Sequence, residues 1–573
     1  MAEKSPVPEV VSEGREEKNM PTIEFTLQRI QRLLGKPVSI KDLEMDLQWI
    51  SLDLDEINEA EGKIKVEYNP NRPDFSSPEG IARALKGYYE IETGLPHFTA
   101  KGGDYEVNVD PIVNQVRPFI ATAIVRGINL DSDQVATLMN TQEDLHWAIG
   151  RNRKKVAIGV HDLDKITPPF TYTAVKPDAI KFEPLQMPGY QLTPAEILEQ
   201  HPKGREYAYI LKDTGICPII FDKNSNVISF PPIINGTLTM VTDDTKNLFI
   251  DMTGTDLKSV NFALNVLCTM LADMGCKIEK VTNLYPDGPR ITPSFAPAEW
   301  MVDVEYINSY LGLKLPETDI IKALRKVRFD AKPGKRKGSL DVLVPCYRGD
   351  LMHPVDLTEE VAIGIGYSNL PLTLPQGGIG KYHPKLQAQA LVRKVMTGLG
   401  FQEVVNFILT SKEKSFAATR RKWKDGVVLK NPVSKEYDTT RQDLLSGLLQ
   451  NLQDNKHESI PIKIFEVGDV IILDKNEETG ARRDIHVACV IYDKEACFTD
   501  ARSVVDAFME MHGIGSFEVI AATNPFGLDG RTADIIIDKK RVGSVGEIHP
   551  EILSNFALEC PVAFFEINLE PLI

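Results

Sequence analysis

The chain is poor in cysteine and lacks long apolar runs. Its seven cysteines are scattered over 573 residues and form no C-x-x-C pair. This excludes a disulfide-stapled scaffold and a cysteine-rich zinc site, and it favours a reducing compartment. No run approaches the roughly 18 consecutive apolar residues that a membrane span needs, and the N-terminus has no apolar segment typical of a signal peptide. We therefore expect a cytoplasmic protein with no membrane partner.

Positive charge is also in deficit. The chain has 65 basic and 81 acidic residues, a formal net charge of −16. A protein that coats nucleic acid without sequence preference is normally basic, so this class is disfavoured. Three local basic stretches remain candidate contacts with a nucleic-acid backbone: Arg151–Lys155, Lys332–Lys337 and Arg420–Lys422.

Common catalytic motifs are missing as well. There is no G-x-x-x-x-G-K-[ST] phosphate loop, no strand-linked G-x-G-x-x-G, no H-E-x-x-H and no G-x-S-x-G. The ten histidines are dispersed, and only His161 lies in a suggestive polar cluster, HDLD. For a lone histidine of this kind we expect a structural role. The sequence therefore predicts no self-contained catalytic centre of a common type.

The length and the 42% apolar content are sufficient for about four domains. The polar residues 1–19 are interpreted as a disordered extension or tag. Glycines near Lys101 to Asp104 and a proline-dense segment from Pro286 to Pro297 are interpreted as separators. The predicted fold class is multidomain α/β and α+β, with an N-terminal α+β domain and three further units: residues 20–105, 117–275, 290–370 and 380–573.

Four carboxylates lie within eleven residues: Asp350, Asp356, Glu359 and Glu360. Asp356 and Glu359 have the spacing of a helix N-cap and its reciprocal partner, and acids suit the first turn of a helix. Alternatively, Asp356 and Glu360 lie one helical turn apart with Asp350 approaching from the preceding loop. Oxygen ligands without sulfur or imidazole favour magnesium. The pattern by itself is compatible with both interpretations.

Several long motifs, in a fixed order, resemble one family. They are NRPDFSSPEGIARAL (71–85), SFPPIING (229–236), FIDMTGTD (249–256), NPVSKEYDTTRQDLLSGLL (431–449), GLDGRTADI (527–535) and VGSVGEIHPEIL (542–553). Together they resemble the β subunit of phenylalanyl-tRNA synthetase, in its short archaeal and eukaryotic-cytosolic type. The resemblance covers about residues 20–573.

This resemblance implies a role for each unit. Residues 117–275 resemble the family's editing domain (B3/B4-like), residues 290–370 a small B5-like domain with a DNA-binding, winged-helix-like fold, and residues 380–573 a class II synthetase-like antiparallel sheet. The acidic quartet matches the family's magnesium positions, so the resemblance favours the metal interpretation over the cap. The implied partners are an α subunit, in an α2β2 heterotetramer, and tRNA(Phe). ATP is the implied co-substrate of the complex.

The C-terminal unit departs from a working synthetase of this class. The final residues 563–573 lack the glycine-rich, arginine-bearing motif that holds ATP, and no arginine stands two residues before Glu466. Without arginines to stabilise charge, the fold cannot preorganise a phosphoryl centre. We therefore expect a domain without catalytic motifs, no catalytic residue for aminoacylation in this chain, and the aminoacylation site on the α subunit.

The resemblance also implies proofreading of Tyr-tRNA(Phe) in residues 117–275. Side chains two apart in a strand share a face, so Asp251 and Thr253 project together while Ile250 and Met252 face the core. Ser229 and Asn235 are expected to close the pocket; the alternative is a polar strand face in solvent. Two other functions stay open, a non-catalytic nucleic-acid-binding protein on a degenerate synthetase core and a free-standing editing hydrolase.

Overall fold

The computed structural model describes residues 20–58, 60–128, 131–242, 244–374, 377–423 and 425–573. The extension predicted over residues 1–19 lies outside this range. The described chain has a mixed α/β fold that forms two compact units, and the division along the chain falls between Thr373 and Leu374. Within the described ranges, no helix combines the length and the apolar character needed to cross a bilayer.

The first sheet is antiparallel and three-stranded, in the order β1-β3-β2. The alternation of apolar and polar residues in KIKVEY (63–68) predicts a strand; this segment is β3, and its alternate residues Ile64, Val66 and Tyr68 are buried. The amphipathic stretch from Phe25 to Leu34, followed by Gly35, predicts a helix that ends at this glycine. The end is confirmed, since Gly35 closes α1 with a left-handed φ of 66°. The elements are β1 (Thr22–Thr26), α1 (Leu27–Leu34), α2 (Ile40–Asp46), β2 (Leu52–Asn58), β3 (Lys63–Tyr68) and α3 (Pro78–Tyr88).

The second sheet has ten strands, in the order β10-β9-β8-β7-β4-β12-β5-β11-β6, with β13 added beside β12. One large core lies between α7 and the strands β5, β6 and β11. The strands are β4 (Ala100–Val109), β5 (Phe119–Arg126), β6 (Val156–Asp162), β7 (Phe170–Val175), β8 (Cys217–Phe221), β9 (Val227–Phe230), β10 (Ile234–Asn235), β11 (Asn247–Gly254), β12 (Lys277–Tyr285) and β13 (Gly288–Thr292). The helices are α4 (Ser132–Trp147), α5 (Pro194–Gln200), α6 (Pro202–Tyr207) and α7 (Leu257–Asp273).

The first separator predicted beside this unit is wrong and the second is wrong in part, because residues 100–109 and 288–292 belong to its sheet. The glycines near Lys101 lie in β4, where a Cβ on Gly103 would come within 2.7 Å of the Lys280 carbonyl oxygen, next to a register shift. Glycine in a strand often marks such an irregularity. Pro289 lies in β13, which pairs only with β12 among the described strands. An edge strand tolerates the missing proline N–H.

The third sheet is small and antiparallel, in the order β14-β16-β15. The sequence predicts helices over 304–311 and 318–327, and both are confirmed within one residue. The basic turn after Lys332 is exposed between β15 and β16. The elements are β14 (Ala298–Asp303), α8 (Val304–Leu311), α9 (Glu317–Lys326), β15 (Asp330–Pro333), β16 (Ser339–Val344) and α10 (Pro354–Ile365).

The second compact unit contains a seven-stranded sheet, in the order β17-β20-β21-β25-β24-β23-β22, which is antiparallel except where β17 meets β20. Helices pack on both faces and enclose two apolar cores. The helices are α11 (Pro384–Gly398), α12 (Leu445–Asp454), α13 (Phe498–Met511) and α14 (Pro550–Asn555). The strands are β17 (Gln402–Glu403), β18 (Leu409–Thr410), β19 (Thr439–Thr440), β20 (Ile462–Leu473), β21 (Ala481–Tyr492), β22 (Glu518–Ala521), β23 (Gly527–Ile537), β24 (Lys540–Ile548) and β25 (Val562–Asn568).

Within the first unit, the motif NRPDFSSPEGIARAL joins separate parts of the chain. Arg83 is buried and donates two hydrogen bonds to Asp273 at the end of α7, at 2.8 and 2.6 Å. Its guanidinium also lies 4.1 Å from the ring centroid of Tyr347. Glu79, equally buried, accepts a hydrogen bond of 2.8 Å from Arg29 of α1. The motif therefore holds the N-terminal sheet against the rest of the unit.

Candidate functional site

A partly open cavity of about 290 Å³ lies against the ten-stranded sheet. All four residues predicted for the editing pocket line it: Ser229, Asn235, Asp251 and Thr253. They come from β9, β10 and β11, which the fold brings together although β11 is not adjacent to β9 in the sheet. Apolar side chains of α4, β6 and residues 231–241 supply most of the remaining wall. We call this space the sheet cavity; its function stays a prediction at this point.

The side-chain alternation predicted for β11 is confirmed. Ile250 and Met252 are buried in the core beneath α7, whereas Asp251 and Thr253 line the sheet cavity. β11 pairs with β5 on one side and with β6 on the other, so hydrogen bonding to two neighbouring strands fixes which of its side chains face the cavity. Asp251 and Thr253 are both buried in the fold and not part of a solvent-exposed strand face. The solvent-exposed alternative is therefore wrong.

His161 contacts this site from β6, a role that the sequence alone did not assign. Its Nε2 lies 2.8 Å from Oδ2 of Asp251, and its Nδ1 lies 2.8 Å from the hydroxyl of Thr239. The imidazole is fully buried. Gly159 provides the necessary space, because a Cβ there would come 2.0 Å from Asp251 Oδ2. His161 is thus structural in the sense expected, but the group that it holds is a predicted site residue.

Arg117 holds the second cavity residue of β11 and was not identified from the sequence. Its Nε donates to the hydroxyl of Thr253 at 2.9 Å, and its Nη2 donates to the Thr253 carbonyl at 2.7 Å. A third bond runs from Nη1 to the carbonyl of Lys154. Burial lowers the pKa of Arg117 to about 10, so the side chain remains charged at neutral pH. Its partners lie far along the chain, and no local pattern marks it.

Ser229 and Asn235 form the part of the cavity wall that lies on the hairpin β9-β10. They are opposite each other in its register, and the Ser229 hydroxyl donates to Oδ1 of Asn235 at 3.0 Å. This bond leaves the Asn235 amide nitrogen free for another acceptor, since an amide carries two N–H donors. The pair therefore adds a small polar patch to a largely apolar wall.

Four ionisable side chains line another part of the cavity: Glu143, His146, Arg153 and Lys203. Arg153 donates to Glu143 at 2.8 Å and to the carbonyl of Ile233 at 2.9 Å. Nε2 of His146 accepts the backbone N–H of Ile158 at 2.8 Å, and burial lowers the pKa of His146 to about 4. His146 is therefore neutral near pH 7.

The predicted basic stretch 151–155 begins in this wall. Arg151, Asn152 and Arg153 have consecutive left-handed φ angles of 48°, 53° and 66°, a conformation that costs about 1–2 kcal/mol per residue outside glycine. The turn buries Arg153 and leaves Arg151 and Lys154 exposed. Only part of the stretch thus remains available to a nucleic-acid backbone.

The acidic quartet lies elsewhere, around the start of α10. Arg348 is buried between two of its members: it donates to both oxygens of Asp350 at 2.8 and 2.6 Å and to Glu360 at 2.5 Å. Burial opposes ionisation of Asp350, but the Arg348 guanidinium holds the pKa of that carboxyl below its usual value. For Glu359, burial and then the neighbouring carboxylates raise the pKa.

Asp356 has a capping role, but in a different position from the one predicted. The helix begins at Pro354, His353 is its N-cap, and Asp356 is the third helical residue, whose Oδ2 accepts the N–H groups of Met352 and His353. The predicted N-cap assignment and its Glu359 partner are therefore wrong. The helix starts earlier because a proline suits the first helical position.

As arranged here, the quartet does not fit one magnesium ion. Asp350 and Glu360 bind Arg348, and Asp356 caps the helix. The described residues contain no cluster of three or more metal-binding side chains. A hard cation needs several oxygens converging at about 2.0–2.6 Å. The predicted metal site, Asp350, Asp356, Glu359 and Glu360, stays a prediction that requires Arg348 to move.

Known proteins resemble this chain along nearly its whole length. Three family matches cover residues 145–270 (B3/4 domain), 301–367 (tRNA synthetase B5 domain) and 370–569 (phenylalanyl tRNA synthetase beta chain CLM domain). Phenylalanine–tRNA ligase β subunits of Archaeoglobus fulgidus and Methanosarcina acetivorans are 41% and 40% identical, over 96% and 97% of this chain and 98% and 99% of theirs. The chain belongs to the phenylalanine–tRNA ligase β subunit family.

A solved structure supports the fold of the first unit. An N-terminal fragment of the phenylalanyl-tRNA synthetase β subunit from Pyrococcus horikoshii is 38% identical, with a TM-score of 0.58. It covers 61% of this chain, and the match covers 100% of that fragment. The predicted family is therefore confirmed, and with it membership of an aminoacyl-tRNA synthetase.

The unit that matches the CLM domain of this ligase family contains a second cavity, of about 490 Å³, on one face of the seven-stranded sheet. We call it the C-terminal cavity. Its basic side chains are paired within the chain, in four contacts of 2.5–2.9 Å: Arg421–Asp443, Arg482–Asp484, Arg541–Asp534 and His486–Glu566. Each of these basic side chains therefore already has an acidic partner.

The same ligase unit exposes several apolar side chains on and near the paired strands β18 and β19. Phe407 and Tyr437 lie with ring centroids 6.2 Å apart, and β18 joins β19 beside them. Phe407 is 78% exposed and Val405 84%. We call this the exposed apolar surface: Val405, Phe407, Ile408, Leu409, Val428, Val433 and Tyr437. Contiguous exposed apolar residues mark contacts with other proteins.

Proposed function

We propose that this chain works as the β subunit of a heteromeric phenylalanine–tRNA ligase, an α2β2 complex that attaches phenylalanine to tRNA(Phe) with ATP and magnesium. In this proposal the chain assembles the complex, positions the tRNA and hydrolyses mischarged Tyr-tRNA(Phe). The observation that carries it is the alignment with curated β subunits over almost the full length of both proteins.

The aminoacylation site is assigned to the α subunit. Stabilising a transferring phosphoryl group requires positive side chains directed at it. In the C-terminal cavity Arg421, Arg482 and Arg541 are each engaged by an aspartate. Residue 464, two before Glu466, is an apolar isoleucine. These features favour a class II synthetase-like domain that no longer binds ATP productively.

The sheet cavity is assigned to editing. An apolar phenylalanine pocket rejects an isostere that merely adds a hydroxyl by only about 100-fold, so a second, polar site is needed to remove tyrosine. The cavity volume of about 290 Å³ is at the lower end of the range of small-molecule pockets, roughly 300–1,000 Å³. It offers an apolar wall for a ring and the side chains of Asp251 and Thr253 for a hydroxyl.

We assign the contact with tRNA to exposed basic side chains, some beside the sheet cavity and others on the turn between β15 and β16. Arg151 and Lys154 lie on the turn whose third residue, Arg153, lines the cavity. The turn between β15 and β16 exposes Lys335 and Lys337, and its position between two strands agrees with the wing of a winged-helix-like fold. Phosphate contacts of this kind supply sequence-independent affinity.

We assign the binding site of the α subunit to the exposed apolar surface. The relatives are named as β subunits, so a partner chain is part of the proposal. Phe407 and Val405 would lose their exposure to water on association, which is favourable for apolar side chains.

Coexpression with the cognate α subunit tests the proposal. We expect a stable complex whose mass fits two copies of each chain and which charges tRNA(Phe) with phenylalanine. The isolated chain should form no phenylalanyl-adenylate from ATP and phenylalanine, measured by pyrophosphate exchange. Adenylate formation by the isolated chain, or failure to associate with an α subunit, would contradict the assignment.

A further inference from the structure

In the proposed editing site, Asp251 and Thr253 bind the phenolic hydroxyl of a misattached tyrosine. We infer that His161 and Arg117 are the residues that position this pair, so that Asp251 offers one acceptor and Thr253 one donor to the cavity. His161 is a positioning residue in this scheme, because it acts on the substrate only through Asp251. The inference rests on the proposed editing function and specifies how that site selects its substrate.

The acceptor follows from the contact between His161 and Asp251. A carboxylate can only accept hydrogen bonds, so at a separation of 2.8 Å the His161 Nε2 atom must carry the hydrogen and donate it to Oδ2. Oδ1 has no protein donor among the described residues. Since Asp251 lines the cavity, Oδ1 is the acceptor that remains for a ligand.

The donor follows from the contact between Arg117 and Thr253. A guanidinium has no acceptor atom, so the Thr253 hydroxyl must accept the hydrogen bond from Arg117 Nε. This bond uses a lone pair and leaves the hydroxyl hydrogen free to donate elsewhere. The second bond, from Nη2 to the Thr253 carbonyl, fixes the guanidinium in place. Arg117 thus orients Thr253 as a donor.

A phenolic hydroxyl fits this arrangement because it donates and accepts at once. Asp251 and Thr253 lie two residues apart on one face of β11, so one hydroxyl between them can contact both. A phenylalanyl group would leave both groups without a partner in a buried site, and such unpaired groups are what reject an analogue lacking the hydroxyl. The cavity would therefore admit Tyr-tRNA and spare Phe-tRNA.

The hydroxyls of the terminal ribose offer the same chemistry, and the experiment separates the two sources. In the assembled enzyme, hydrolysis of Tyr-tRNA(Phe) is compared with hydrolysis of 4-fluorophenylalanyl-tRNA(Phe), whose ring carries fluorine in place of the hydroxyl. Both substrates contain the same ribose. A variant that affects recognition of the phenol changes the ratio of the two rates, whereas one that affects the ribose changes both rates equally.

Two substitutions at His161 separate its two hydrogen bonds. In His161→Gln the amide nitrogen stands near the former Nε2 and keeps a donor for Asp251. In His161→Asn the amide reaches only the position of Nδ1 and keeps the contact with Thr239. We expect His161→Asn to slow Tyr-tRNA hydrolysis about 10- to 100-fold, the effect of one hydrogen bond to a charged group. His161→Gln should stay within about threefold of wild type, and neither should change the 4-fluorophenylalanyl rate.

A second pair of variants tests the arrangement without touching a polar side chain. In Gly159→Ala the new methyl group would lie 2.0 Å from Asp251 Oδ2 and 2.5 Å from His161 Nε2, so the pair must separate. The matched control is Gly102→Ala in β4, where a Cβ has no neighbour within 4 Å. We expect Gly159→Ala to reproduce the loss of tyrosine selectivity and Gly102→Ala to leave it intact.

A third pair of variants tests the donor. Thr253→Val removes the hydroxyl and should lose tyrosine selectivity, whereas Thr253→Ser keeps the hydroxyl and should keep this selectivity.

The outcomes distinguish this inference from the proposed function. If the wild-type enzyme hydrolyses no Tyr-tRNA, the proposed editing function fails. If it does, but His161→Asn and His161→Gln behave alike in enzymes that melt and charge phenylalanine as wild type does, the inference is wrong and the function stands. Equal slowing of both substrates would likewise overturn the assignment to the phenol. Where His161→Asn fails to fold, Gly159→Ala decides in the same way.

Discussion

The Nε2 atom of His161 lies 2.8 Å from Oδ2 of Asp251, and both side chains are almost fully buried. A carboxylate in such a place is costly unless it is paired, so the histidine explains how an acidic group can lie in the wall of a mainly apolar cavity. Asp251 is consequently available to a ligand without needing solvent to stabilise it.

Replacing Asp251 by alanine should remove proofreading while leaving the charging of phenylalanine near normal, because charging takes place on another subunit in the proposed scheme. In the assembled enzyme, Tyr-tRNA(Phe) should accumulate when tyrosine is supplied, as measured by acid-gel analysis of charged tRNA. The matched control is Asp164→Ala, since Asp164 is exposed outside the cavity. Clearance of Tyr-tRNA by Asp251→Ala at the wild-type rate would show that the site is assigned wrongly.

The acidic quartet makes a prediction about magnesium. Asp350→Asn combined with Glu360→Gln should abolish any rise in melting temperature that magnesium gives, while the helix cap formed by Asp356 remains. In the same double variant, the buried Arg348 loses both carboxylate partners. The melting temperature of the protein without magnesium should therefore also fall.

Differential scanning fluorimetry with magnesium chloride, and with sodium chloride at equal ionic strength, measures both effects. Glu305→Gln, an exposed acid on α8, serves as the control variant. A magnesium response that survives in the double variant would place the ion elsewhere and leave the quartet as a capped helix bound to Arg348.

His146 predicts a pH dependence of stability. Its pKa falls from an ordinary 6.5 to about 4 in the fold, because burial disfavours the charged imidazole. Between pH 6.5 and pH 4 the unfolded chain therefore binds a proton that the folded chain does not, and stability declines as the pH falls through this window. The full effect is about 3 kcal/mol.

The variant His146→Gln cannot take up this proton. In urea denaturation followed by tryptophan fluorescence, it should lose less stability than wild type between pH 6.5 and pH 4. His457→Gln, at an exposed histidine of the second unit, should retain the wild-type slope. Identical slopes for His146→Gln and wild type would contradict the assignment of the neutral imidazole.

The exposed apolar surface predicts the effect of a charge on assembly. Phe407→Glu should weaken association with the α subunit by at least about tenfold, as loss of an anchoring aromatic residue does. The introduced carboxylate would lose water at the interface without gaining a partner. Analytical ultracentrifugation of the mixed subunits measures this. Met45→Glu, at an exposed apolar residue of the first unit, is the control; equal weakening by both variants would argue against this surface.

The sequence determined the local elements and the family. Alternation in KIKVEY, the glycine after α1 and the apolar spacing of α8 reflect local preferences, and the structure confirms each of them. The residues on either face of β11 also followed from strand geometry alone. The glycines near Lys101 and the prolines around Pro289 predict separators between units, but they lie at a register shift in β4 and in the edge strand β13. Whether such residues separate units or belong to a sheet depends on the strands that pair with them.

Only the tertiary structure decided which polar side chains share one environment. Arg117 meets Thr253 across 136 positions, His161 meets Asp251 across 90, and Arg83 meets Asp273 across 190. Buried charges must find partners, but nothing in a linear sequence states where along the chain the partner lies. The acidic quartet is a similar case. Its spacing along the helix suggests a metal site, but the fold places the guanidinium of Arg348 between Asp350 and Glu360.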